Sequence, residues 1–208
     1  MEFDTFFFLH IDKTIGRLTY LFNIEPMFKH LNINNINTKK YNSSHEKHNK
    51  MVDVDDKTYI FSTFRNPIER TISEFCYNQV YNENQYKFTN ERDAFSKSLS
   101  IENFMNWIES EYISNFQYKS LNGKIDRINL FIKSESINNK SELLHKKIYN
   151  DLGIIVNKFY NYYDPEATWY SQNIGEFYLK INPDIIKKIE QYNEIDLDIY
   201  KSNIFTTL

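Results

Sequence analysis

A chain of 208 residues with 41% hydrophobic and 17% aromatic residues can bury one sizeable core and is too apolar to stay disordered. Its formal net charge of -3 gives no overall attraction to nucleic acid or anionic lipid, leaving only a local basic site for such partners. The lone Cys76 excludes an internal disulfide framework and a cysteine-rich metal centre; no apolar run reaches bilayer-spanning length, and the acidic start MEFD lacks signal-peptide features, so the expectation is a cytoplasmic protein without a membrane span.

In chain order, TFFFLHI (5–11) reads as a buried strand and DKTIG as the short turn after it. RLTYLFNIEPMFK (17–29) suits a helix interrupted or ended near Pro26. Residues 32–56, rich in Asn, Lys and Asp, read as surface loop with one short element. TYIFSTF (58–64) is a second strand. After it Pro67 occupies the first turn of a helix striped by Ile68, Ile72, Phe75 and Val80. Residues 82–98 read as loop, and Ser100 opens the helix SIENFMNWIESE with an imperfect capping box. RINLFIK (127–133) is a third strand, and the next helix ends at a C-cap, Gly153. Two helices, about 171–192 and 196–204, complete the chain. No internal repeat or clear linker interrupts it, so residues 1–208 read as one α/β domain with a mostly parallel sheet.

Two stretches carry candidate chemistry. The first is the turn after the first strand. A strand feeding a helix through a tight turn leaves backbone N–H groups pointing at an anion. Gly16 permits close backbone approach, and Lys13 adds a mobile charge. The motif is not a Walker A loop, and an ordinary strand–turn–helix with a solvated lysine fits equally well. The second is STFRNPIERTISEF (62–75), again strand, turn and helix. Arg65 falls at the carboxyl end of the strand, where open α/β sheets bind ligands. Arg65 and Ser73 are suited to hold one anion, by a planar fork and a hydroxyl. Arg70 reads instead as a structural cation paired with Glu69, Glu74 or another acid.

Together the two stretches resemble the carbohydrate-type sulfotransferase family. HIDKTIG is similar to its HIPKTGG signature, and TFRNPIERTISEFCY to its TFVRNPxxRxxSxY segment. Weaker likenesses continue at Gln117, Glu135, YSQNIGEFY and IDLDIY, so the resemblance spans most of the chain with its weight in the first 75 residues. It implies a three-layer, P-loop NTPase-like fold. It also implies the donor 3′-phosphoadenosine 5′-phosphosulfate (PAPS), released as adenosine 3′,5′-bisphosphate (PAP). Lys13 and Thr14, with Ile15, Gly16 and Arg17 of the same loop, would lie at the 5′-phosphosulfate. Arg65 and Ser73 would hold the 3′-phosphate. The sequence departs from the signature at Asp12, Ile15 and Arg17. Asp12 either turns outward or orients a substrate hydroxyl. Arg17 is read as a charge clamp on the sulfuryl group, with a surface ion pair as its alternative.

Sulfuryl transfer to a hydroxyl needs an aligned acceptor, a base and cations at the leaving oxygen. Lys13, the turn amides and Arg17 serve the last need. His45 is the candidate base, placed one helical turn from Tyr41 if 43–49 is helical; His48 and Glu46 are its substitutes, and a solvated loop is the plain reading. His10 is read as support for the loop and His145 as a solvent-facing helix residue. The expected acceptor is a glycan or another small hydroxyl-bearing substrate. Trp107 or Trp169 would stack on a sugar ring unless they serve in packing. Rival readings are a nucleotide-dependent kinase, a non-catalytic nucleotide-binding relative and, last, a nucleic-acid binder. Oligomeric state is left open.

Overall fold

The computed structural model describes residues 3–11, 27, 29–31, 34–42, 55–82, 99–109, 114–137, 141–154, 175 and 177–208. The chain divides into two compact units. The first contains residues 1–65, 117–164 and 199–208, and the second residues 66–116 and 165–198.

The first unit is built on four parallel strands, β1 (Thr5–His10), β2 (Asn37–Asn42), β3 (Thr58–Phe64) and β4 (Leu130–Lys133), in the order β2-β1-β3-β4. A strand buried on both faces is a continuous apolar run. That is what TFFFLH supplies, with Phe6, Phe7, Phe8 and Leu9 all buried. All seven residues of β3 are buried as well. The buried hydroxyl of Ser62 donates to the carbonyl of Leu9 at 2.9 Å, which offsets the cost of burying it. Leu9 pairs with Tyr41 on one side and Ser62 on the other, while Phe64 pairs with Lys133.

Alternate residues share one face of a sheet. Phe6, Phe8, Tyr59, Phe61, Leu130 and Ile132 therefore meet one core, closed by Ile137 and by Leu144, Ile148 and Tyr149 of the helix Ser141–Asp151. Full burial of each large side chain contributes about 1.5–3 kcal/mol. The Tyr59 hydroxyl donates to Asp151 at 2.6 Å, and Lys147 pairs with the other oxygen of that carboxylate at 2.5 Å. Burial, then the bond to Asp151, drives the Tyr59 phenol far above its ordinary pKa. Near the end of β4, the ring of Phe205 stacks on Phe131 at 4.7 Å, and the Thr206 N–H donates to the Phe131 carbonyl at 2.7 Å. The expected C-cap is present: Gly153 has φ +70, its N–H donates to Asn150, and the Ile154 N–H donates to Tyr149. These two bonds form a Schellman ending.

The second unit is helical among its described residues. In chain order its helices are α1 (Pro67–Asn82), α2 (Ile101–Ile108), α5 (Pro183–Tyr192) and the first turn of α6 (Glu194–Lys201); α3 (Phe116–Leu121) starts at its boundary, and α4 is the helix Ser141–Asp151 of the first unit. Ile72, Phe75 and Cys76 of α1 pack with Phe104, Ile108, Phe177, Ile185 and Ile189. Phe75 meets Phe104 edge-on at 4.9 Å and stacks on Phe177 at 5.5 Å. Ser100 caps α2 by accepting from the Asn103 N–H at 3.0 Å, so the imperfect box still supplies its first half.

Three expectations change and one is sharpened. Residues 37–42 are the short element expected in the polar stretch 32–56; pairing with β1 makes them strand β2, which the polar sequence NTKKYN does not announce. The third strand is shorter than 127–133, since Ile125–Arg127 is a 3₁₀ turn. The helix expected over 171–192 is not continuous. Residues Leu179 and Lys180 form a turn, and Asn182 caps a new helix with Pro183 in its first turn. Proline disfavours helical backbone at the residue before it. His145 does not face solvent: it is 4% exposed, with its ring 6.2 Å from that of Tyr149.

Candidate functional site

The strand order marks a candidate ligand position in the first unit. From β1 the chain passes to β2 on one side of it and then to β3 on the other. In open parallel sheets, the crevice at such a reversal, outside the carboxyl ends of the strands, is the ligand position. Here that position is bounded by His10, the last residue of β1, and Phe64, the last residue of β3. The first stretch singled out in the sequence comes after the end of β1, and the second, 62–75, runs through the end of β3.

The first stretch, with Asp12, Lys13, Thr14, Ile15, Gly16 and Arg17, lies outside the described residues, as do His45, Glu46, His48 and Trp169. Tyr41 is described, and it belongs to β2. The helical spacing that linked Tyr41 to His45 therefore does not hold at its first member.

The second stretch is well defined. Arg65 follows the last residue of β3, and its side chain is half-buried. Its N–H donates to Gln117 Oε1 at 2.9 Å, and its carbonyl accepts from Gln117 Nε2 at 2.9 Å. Gln117 itself is fully buried in the first turn of α3. The next residue, Asn66, caps α1: its Oδ1 accepts from the N–H groups of Ile68 at 2.9 Å and Glu69 at 3.4 Å. Its own carbonyl accepts the first helical bond, from Arg70 at 2.9 Å. Pro67 has no N–H to satisfy and completes the start. Each residue of Arg65–Asn66–Pro67 thus has a defined backbone role.

Within the second unit, Ser73 on α1 is 2% exposed. Arg70, one turn earlier, is 1% exposed; its guanidinium lies 3.6 Å from Glu74 and 3.9 Å above the Phe116 ring. It is the structural cation the sequence suggested. Arg65 belongs to the first unit and Ser73 to the second.

At the end of β4, the Lys133 ammonium lies 4.3 Å over the Tyr200 ring and 5.2 Å from the Phe205 ring. Ser134 and Glu135 follow in a 3₁₀ turn; Ser134 is buried and its Oγ has no hydrogen-bond partner among the described residues. Trp107 packs, with its ring 5.5 Å from Phe75 and 6.2 Å from Phe104, as expected of a packing tryptophan. Burial pushes the Cys76 thiol up to about 12, which removes it as a nucleophile near neutral pH. Among the described residues no group of His, Cys, Asp and Glu is arranged to hold a metal ion, and no helix is long and apolar enough to cross a membrane.

Sequence reasoning missed two roles. The Asn66 cap had a local signal, since Asn directly before a Pro at the first helical position is a helix start. The Gln117 clamp had no local signal, because Gln117 and Arg65 stand 52 residues apart. No protein-family model, curated protein or solved structure matches the chain.

Proposed function

We propose that this chain is a sulfotransferase that takes its sulfuryl group from PAPS and delivers it to a hydroxyl, with a sugar of a glycan or glycoconjugate as the acceptor. The observation that carries the proposal is the sheet order. It puts the ends of β1 and β3 side by side at the chain reversal, and each end opens into one of the two anion-suited stretches. The parallel sheet is compatible with a three-layer, P-loop NTPase-like core, which the proposal adopts.

The described residues fit a nucleotide bisphosphate at one end of this arrangement. Arg65 offers a planar, permanently charged fork from a backbone held on both sides by Gln117. In this reading Arg65 holds the 3′-phosphate. By the resemblance, the stretch after β1, with Lys13, Thr14, Ile15 and Gly16, would take the 5′ end.

When bound, PAPS supplies the sulfuryl group and leaves as PAP. Lys13 and Arg17 would supply the positive charge needed at the leaving phosphate oxygen. His45 accepts the proton of the attacking hydroxyl, with His48 or Glu46 as its substitute. A second reading, a nucleotide-binding protein without transferase activity, is favoured by Asp12 and Ile15, which replace the proline and the first small residue of the resembled signature.

Calorimetric titration with PAP tests the donor site. The parent protein binds, and Arg65→Ala and Lys13→Ala each weaken binding at least tenfold, as expected for lost charge-assisted bonds. Absence of binding, or preference for ATP, sinks the proposal. Donor-dependent sulfation that disappears in His45→Ala, with PAP affinity kept, separates the transferase from the binding protein.

A further inference from the structure

We infer that Gln117 is a positioning residue for the phosphate-binding arginine, acting through the Arg65 backbone. The inference rests on the donor-site reading above and assigns a role that the sequence resemblance left blank.

The β3–β4 register ends at the pair Phe64–Lys133, so Arg65 is the first residue beyond the ladder. Its peptide groups need new partners there, because buried backbone groups left unpaired are costly. A neighbouring strand would satisfy them with one carbonyl and one N–H. Gln117 supplies that pair from a single side-chain amide, with Oε1 receiving the Arg65 N–H and Nε2 reaching the Arg65 carbonyl, both at 2.9 Å. Two bonds to one residue, on either side of its Cα, restrict both of its backbone dihedrals. They therefore restrict the direction in which its Cβ, and with it the guanidinium, leaves the strand end. The amide is fully buried, so water does not compete for the two bonds. A side chain that must meet a phosphate with a planar fork depends on such support, since small losses of aim cost affinity.

A residue that merely held the fold together would affect every ligand alike. A residue that aims Arg65 affects only the phosphate Arg65 meets. The test is therefore calorimetric binding of PAP and of adenosine 5′-monophosphate, which lacks the 3′-phosphate, to four full-length proteins: parent, Gln117→Met, Arg65→Ala and the double variant. Gln117→Met should weaken PAP binding by roughly tenfold, the loss expected for two buried hydrogen bonds acting at a distance, while monophosphate binding stays unchanged. In the double variant PAP binding should equal that of Arg65→Ala alone, because nothing remains to be aimed. Gln117→Asn keeps both amide groups one methylene short; it should show the same selectivity at smaller size, and it serves if the methionine variant folds poorly.

Equal weakening of both ligands by Gln117→Met, losses that add in the double variant, or an unchanged PAP affinity would each overturn the positioning role. These outcomes leave the donor site standing, provided Arg65→Ala alone weakens PAP. If the parent does not bind PAP, or Arg65→Ala binds it as the parent does, the donor-site reading fails and the inference goes with it.

Discussion

Arg65 and Arg70 stand five residues apart on one segment, and the protein treats them in opposite ways. Arg70 points into the helical unit, where its charge faces Glu74 and its plane covers Phe116. Packing fixes its side chain and leaves it almost no exposed surface. At Arg65 it is the backbone that is fixed, by Gln117, and the side chain stays half-buried at the carboxyl end of the sheet. An arginine committed to a buried ion pair holds a helix in place. At Arg65 the peptide groups are what the fold holds, and the proposed function assigns its side chain to the phosphate at the strand end. Residue type alone does not separate the two roles; the group that the fold immobilises does.

The largest effect expected from this difference is on stability. Arg70→Ala removes one member of a buried ion pair and leaves Glu74 without that partner, which typically costs about 3–5 kcal/mol. Urea unfolding should show the loss as a lower midpoint. A loss below about 1 kcal/mol would mean that Arg70 is not the buried anchor described here and would dissolve the contrast with Arg65.

How much of this contrast the sequence carried depends on how local its causes are. The strands β1 and β3 were legible because burial on both faces demands an unbroken apolar run, and TFFFLH and TYIFSTF are such runs. Gly153 was legible because a left-handed C-cap selects glycine. β2 was legible only as an unplaced short element, because a strand of this kind is defined by its neighbour and NTKKYN has no pattern of its own. His145 was misjudged because it lies in a mostly polar helical stretch, yet the face it occupies packs beside Tyr149. Among the site residues, Arg65 was placed at a strand end by sequence, as β3 confirms. The reason it is held there is a glutamine 52 residues away, and no short-range pattern encodes that.

A smaller effect belongs to the residue between the two arginines. Asn66 satisfies two N–H groups at the start of α1. Asn66→Ala should lower stability by about 1 kcal/mol, the usual value of an N-cap. Denaturant unfolding measures it, and a neutral substitution would show that Pro67 and Glu69 suffice to start the helix.

The smallest effect on stability is expected at Arg65 itself, and Cys76 reports it. Arg65→Ala removes a half-buried side chain while the backbone bonds to Gln117 remain possible, so stability should change by no more than about 0.5 kcal/mol. Cys76, the only cysteine, packs in the α1 core, and burial raises its thiol to about 12 from an ordinary 9.0. The folded state therefore keeps its proton where the unfolded state has lost it. This contribution to stability is complete below pH 9 and is lost as pH rises toward 12. At pH 8 a thiol reagent reaches Cys76 chiefly through opening of the helical unit, and the labelling rate follows the population of open molecules. Arg70→Ala should accelerate labelling strongly, and Arg65→Ala should leave it at the parent rate even while PAP affinity falls. Equal acceleration by both variants would mean that Arg65, too, is spent on holding the fold, and the distinction between the two arginines would fail at the residue proposed to carry function.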